Sequence, residues 1–174
     1  MRRLQRGALV ALLTAGTTVA VWIAPAAAQT SGSETLTGVI VASGNSGQRE
    51  VVSARIVATG VFNGGGQIVE IPSQPNDPEN VNRDDLVFHD GSMHLISTLQ
   101  SATFSIDPRT CIVTVIIEQT GVISGGTGRF ATASGSFTGV ATGHGLALRN
   151  PDRSCSENQR INILNIDESG TLTF

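Results

Sequence analysis

From Glu34 onward the chain repeats one pattern: short runs of Val, Ile, Leu and Thr in which apolar and polar positions alternate, separated by Gly, Asn, Ser and Asp-Pro. A period of two puts successive side chains on opposite faces of a strand, and no window of helical period lasts long enough to compete. The pattern predicts strands over 34–42, 49–62, 66–71, 85–89, 92–99, 102–106, 111–123, 130–148 and 160–174. Gly60, Gly135, Gly139, Gly143 and Gly145 fall inside the longer runs, where glycine marks a bulge, a barrel corner or a turn. Gly44-Asn45-Ser46-Gly47, Asn63-Gly64-Gly65-Gly66 and Asp90-Gly91 are turn chemistry and predict antiparallel neighbours. The stretch 72–84 carries Pro72, Pro75 and Pro78 among polar residues and reads as an exposed loop. A second loop, 150–159, has Cys155 near its middle. So many strands with few strong breaks predict an all-β fold, an antiparallel closed β-barrel of about eight strands, because closure removes exposed edges. A β-sandwich is the alternative.

The first 28 residues depart from this pattern. Arg2, Arg3 and Arg6 precede an uncharged, largely apolar run, which ends at Pro25-Ala26-Ala27-Ala28. This is the tripartite form of an export signal with small residues before the cut, and cleavage after Ala28 is expected. A permanent membrane anchor is the rival; the Ala-x-Ala end and the lack of positive charge after the run argue against it. The expectation is a secreted protein, residues 29–174, forming a single domain of 146 residues with no membrane span after cleavage.

Charge narrows the partners. Every basic residue is Arg, and the exported part holds 8 of them against 14 acidic residues, a net charge of about −6. Without a basic cluster it has no means of gripping a phosphate backbone, so no nucleic acid is expected as partner. The single Trp, Trp22, lies in the signal and the chain has no Tyr, which argues against sugar-binding and peptide-binding grooves. Cys111 and Cys155 both lie in the exported part, and an even count in an oxidising compartment predicts a disulfide.

The segment Ser124-Gly125-Gly126-Thr127-Gly128-Arg129-Phe130-Ala131-Thr132-Ala133-Ser134-Gly135 resembles the G-G-T-G-x-[FY]-x-x-A-x-G signature of the allene oxide cyclase and dirigent protein superfamily. Gly125, Gly126, Thr127 and Gly128 read as a turn, Phe130 as a core anchor, and Ala133 and Gly135 as close-packing positions. The resemblance implies an eight-stranded antiparallel barrel with a hydrophobic pocket at its mouth, compatible with a homo-oligomer. Some members cyclise or couple reactive small molecules in that pocket. Gly125-Gly126-Thr127-Gly128 is not a phosphate loop, since the Lys-Ser/Thr and the helix that such a loop requires are missing.

The densest polar cluster is Arg83 to His94, with Asp84, Asp85, Asp90, His89 and His94. Its two histidines differ by an odd number and face opposite ways on one straight strand, so it reads as a charged loop leading into a hairpin, and no metal site is assigned. Alternation in 111–120 sets Glu118 on a face with Ile112, Thr114 and Ile116. Were that face inward, Glu118 would need a partner, with His94 or Arg55 the candidates. Glu118 and His94 would then be the acid and base of a cyclase-like or isomerase-like enzyme. On the opposite orientation Glu118 is a solvent-facing charge that discourages strand association. His144, between Gly143 and Gly145, reads as a turn residue. The function expected is binding of a small hydrophobic ligand, with no cofactor and no assigned catalysis. A dirigent-like or cyclase-like enzyme and a cell-envelope structural protein with a filled barrel are the alternatives.

Overall fold

The computed structural model describes residues 29–45 and 48–174, so residues 1–28, where an export signal and its cleavage are expected, and Ser46-Gly47 lie outside the described residues. Among the described residues eight strands form: β1 (Ser31–Asn45), β2 (Gln48–Gly60), β3 (Gly64–Ile71), β4 (Val81–Phe88), β5 (Gly91–Ile106), β6 (Ile112–Gly126), β7 (Ser134–Arg149) and β8 (Cys155–Thr173). Each pairs antiparallel with the next and β8 returns to β1, so the sheet is a closed barrel and the sandwich alternative falls.

The alternation in the sequence explains which side of each strand turns inward. Along β8, Leu164, Ile166, Glu168 and Leu172 face the lumen, while Ile163, Asn165, Asp167 and Ser169 face out. Along β1 the inward set is Glu34, Leu36, Gly38 and Ile40. One end of the barrel is sealed by aromatic packing. The Phe62 ring lies 4.9 Å from Phe88 and 5.0 Å from Phe130, and Phe130 lies 5.4 Å from Phe174, all near edge-on or tilted. Leu172, Met93 and Ile123 complete this base.

Several boundaries differ from the sequence reading. The runs 92–99 and 102–106 are one strand, β5, with a register shift between Leu99 and Ser101 that absorbs Gln100. Phe130 does not open a strand; it ends a 3₁₀ turn (Gly128–Phe130) and its ring seals the base, while β7 starts at Ser134. Gly64 to Gly66 belong to β3 and not to a turn, and Val81 to Asp84 belong to β4, which shortens the proline loop to 72–80. Cys111 precedes β6 with φ 59°, and Cys155 opens β8. His144 lies within β7 on its exposed face and not in a turn.

The family-like turn is positioned by hydrogen bonds to the β4–β5 hairpin. Thr127 Oγ1 accepts from the Ser92 amide at 3.0 Å, the Thr127 amide donates to Ser92 O at 2.8 Å, and the Arg129 amide donates to Asp90 O at 3.0 Å. Gly128 has φ 57° and its α-carbon sits where a Cβ would run into the Asp90 carbonyl, so glycine is required there. The motif builds the base and places Phe130.

A second small core, Cys111, Val113 and Ala147 with Ile106 and Cys155, lies at the opposite end, where the Cys111–Cys155 disulfide ties the start of β8 to the β5–β6 hairpin.

Candidate functional site

The end opposite the phenylalanine base is open because its wall thins there. Strands β3 and β4 have 8 residues each, whereas β1, β5, β6, β7 and β8 have 15 or more. Strand β2 pairs with β3 only between Arg55 and Ala58, and β5 pairs with β4 only as far as Thr98. The 72–80 loop occupies this gap and helps form the mouth of a cavity of about 730 Å³ that runs into the lumen.

Strand β7 makes the lumen hollow. Beyond Phe137 its inward positions are Gly139, Ala141, Gly143, Gly145 and Ala147, none of which reaches across the barrel. Beside this low wall Ile117 and Ile166, and further round the barrel Leu36, Ile56, Leu86 and Leu95, give the cavity its apolar lining. A pocket of this size, mostly apolar with few converging polar groups, is the form a small-molecule site takes.

Ser97, Gln119 and Glu168 are polar side chains set among that lining. Register explains how two of them meet. Gln119 on β6 and Glu168 on β8 both lie directly opposite Gly139 on β7. With no side chain at Gly139, Gln119 reaches over β7 and its Nε2 donates to Glu168 Oε1 at 2.5 Å. A Cβ at 139 would collide with the Asp167 carbonyl and stand 2.6 Å from Glu168 Cγ. Glu168 is 3% exposed. Burial pushes its carboxyl above the ordinary glutamate range, and the Gln119 hydrogen bond opposes this only in part.

A second buried carboxyl, Glu34, sits in the base. Its Oε2 accepts from the Phe62 amide at 2.9 Å, and burial pushes its carboxyl up as well. Glu34 does not line the cavity; its contacts tie the β2–β3 turn to β1.

At the mouth, the loop is clamped by Arg83, whose Nε and Nη2 donate to the two Asp77 carboxylate oxygens at 2.7 and 2.8 Å. Asp77 also accepts from the Gln74 amide at 2.7 Å. The Arg83 guanidinium beside it holds the Asp77 carboxyl at about 2.

The residues singled out from the sequence do not form this site. Glu118 faces outward, is exposed, and accepts from Ser101 Oγ at 3.0 Å. His94 also faces outward, with Nδ1 2.6 Å from Asp85 Oδ1, in a depression of about 250 Å³ shared with Asp85 and Ser124. The register sets His94 opposite the β6 segment between Ile123 and Gly126, so Glu118 lies at least five residues further along that strand. At about 3.4 Å per residue this separation is roughly 17 Å, and the acid–base pair of Glu118 and His94 does not exist. The reason is parity: Val113, Ile117 and Gln119 point in, so Glu118 points out. Arg55 is exposed on the outer face too. His89 pairs with Asp90 in the β4–β5 turn at 2.9 Å, far out in solvent. Among the described residues no group of three or more His, Cys, Asp or Glu converges as a metal site would require.

Sequence reasoning missed Glu168, yet its signal was present. In Leu164-x-Ile166-x-Glu168-x-Gly170-x-Leu172 the acid interrupts an otherwise apolar face, which marks a carboxyl turned into the core. Compared with protein-family models, curated proteins and solved structures, the chain matches none of them.

Proposed function

We propose that this protein is exported and binds a small, largely apolar molecule inside its barrel. The observation that carries this reading is the hollow lumen: a cavity of about 730 Å³ with an apolar lining and a buried Gln119–Glu168 pair in its wall. A barrel with a purely structural role is normally filled by its own side chains. Here the small inward residues of β7 keep it open. The Cys111–Cys155 disulfide fits an oxidising compartment, and the export signal over residues 1–28 agrees with that.

The test is native mass spectrometry of the protein purified under non-reducing conditions from its own culture supernatant, compared with the same sample after denaturation. A mass excess that disappears on denaturation is expected. The same mass in both states, together with no binding of added apolar molecules, would sink the proposal in favour of a structural envelope protein.

An enzyme of the cyclase or dirigent type is the second reading, and one observation favours it: a titratable carboxyl, Glu168, lies in the wall of an apolar cavity. In that case Glu168, and not Glu118 with His94, would handle the proton. The distinguishing experiment compares the molecule added with the molecule released: a recovered isomer means catalysis, and unchanged ligand means binding alone.

A further inference from the structure

We infer that the ligand is an apolar molecule bearing a positively charged nitrogen, its hydrocarbon part against Ile56, Leu95, Ile117 and Ile166 and its charge against Glu168. This rests on the cavity reading above and names the class of molecule that would fill it.

Charge is distributed one way around the cavity. Of the polar groups deep in the lining, Ser97 and Gln119 are neutral and Glu168 is the one that ionises. At the mouth stand Glu70, Glu79 and Asp84. Among the described residues Arg83 is the one basic residue in the lining, and its guanidinium is already committed through two hydrogen bonds to Asp77. A molecule entering therefore passes an acidic rim and meets a carboxyl inside.

The state of Glu168 adds a second, independent argument. It is 97% buried by its 3% exposure, and Gln119, a neutral amide, supplies its side-chain hydrogen bond. A carboxylate in apolar surroundings is costly until a positive charge or further donors compensate it. Among the described residues no side chain lining the lumen supplies that cation, whereas an ammonium group on the ligand does. An anionic amphiphile such as a fatty acid meets like charge at the rim and again at Glu168, and is excluded. A neutral alcohol gains one hydrogen bond and no charge pairing.

The experiment is isothermal titration of the full exported protein at neutral pH with octylamine, octan-1-ol and octanoate, which share one hydrocarbon chain and differ in charge. Octylamine is expected to bind about tenfold more tightly than octanol, the scale of a hydrogen bond to a charged group, and octanoate most weakly. In Glu168→Gln, which keeps an acceptor for Gln119, the amine should lose its advantage over octanol. In Ala141→Phe, which fills the lumen, all binding should weaken.

Equal affinity for octylamine and octanol in the unaltered protein would overturn the inference and leave the cavity reading intact; it would mean that Glu168 serves as a neutral donor. An amine advantage that survives Glu168→Gln or Ala141→Phe would also overturn it, placing the amine on the acidic outer surface. Failure of all three compounds to bind would overturn the cavity reading itself. The comparison in the unaltered protein is decisive even if a variant fails to fold.

Discussion

Glu168 titrates against the fold, and the sign of that effect is fixed by its burial. Its carboxyl holds a proton more tightly in the folded chain than in the unfolded one, where the ordinary value is near 4.5. The stability it contributes is complete below that value and is lost as pH rises through the folded value. Glu34 acts in the same direction, so the unaltered protein should weaken from mildly acid to neutral pH. Glu168→Gln removes one of the two, and urea midpoints for the variant and the parent should diverge steadily as pH rises above about 4.5. Curves that stay parallel would mean that Glu168 titrates normally. Beside it, Gly139→Ala should cost about 1–3 kcal/mol by urea unfolding, since the added methyl has no space between the Asp167 carbonyl and Glu168 Cγ. Phe130→Ala, in the base, should cost about 3–5 kcal/mol. Residue chemistry was partly legible: the odd acid in the apolar face of β8 was open to reading. The Gln119–Glu168 contact was not, because it depends on which residue of β7 lies between two strands 49 positions apart in sequence.

At the scale of elements, the two ends of the barrel are held by different means. The base relies on phenylalanine packing and the turn at Thr127, and the mouth on the Arg83–Asp77 clamp and the disulfide. The disulfide closes a segment 44 residues apart, worth about 4 kcal/mol in the chain-entropy account. Replacing both cysteines by Ala should lower stability by about that amount in urea, with the phenylalanine base still assembled. The clamp makes a separate prediction. Because Asp77 is held at about 2, below its unfolded value of 3.8, its contribution is present above 3.8 and is lost as pH falls through about 2. Arg83→Met should accelerate amide exchange across residues 72–80 at neutral pH and leave the base unchanged. Strand existence was legible from alternation. Strand ends were less so: Gln100 hides the continuity of β5 because a bulge breaks the alternation, and the glycines of β3 read as a turn although their neighbours pair them into the sheet.

For the molecule as a whole, the sheet closes on itself but its wall is uneven in height, because the strands differ in length. The closed, aromatic end should open last and the mouth first. Hydrogen exchange should therefore be slowest around Leu86, Ile123 and Phe137 and fastest in 72–80 and 101–106, where β5 lacks β4 as a neighbour. Uniform exchange along all eight strands would contradict this division. The outer face carries scattered apolar residues, among them Ile112, Leu146 and Ile163, but the hollow lumen is where size, lining and buried charge coincide.

The sequence by itself determined the all-β class, the antiparallel hairpins, the alternation of two faces along each strand, the disulfide partners and the net negative charge. Each follows from local rules: period two, turn residues, cysteine count and net charge. Only the tertiary structure decided that Glu118 and His94 are outside and apart, that β7 presents a low wall, and that Glu168 meets Gln119 above Gly139. Those outcomes depend on register and strand length across the closed sheet, where a shift of one residue exchanges the two faces of a strand.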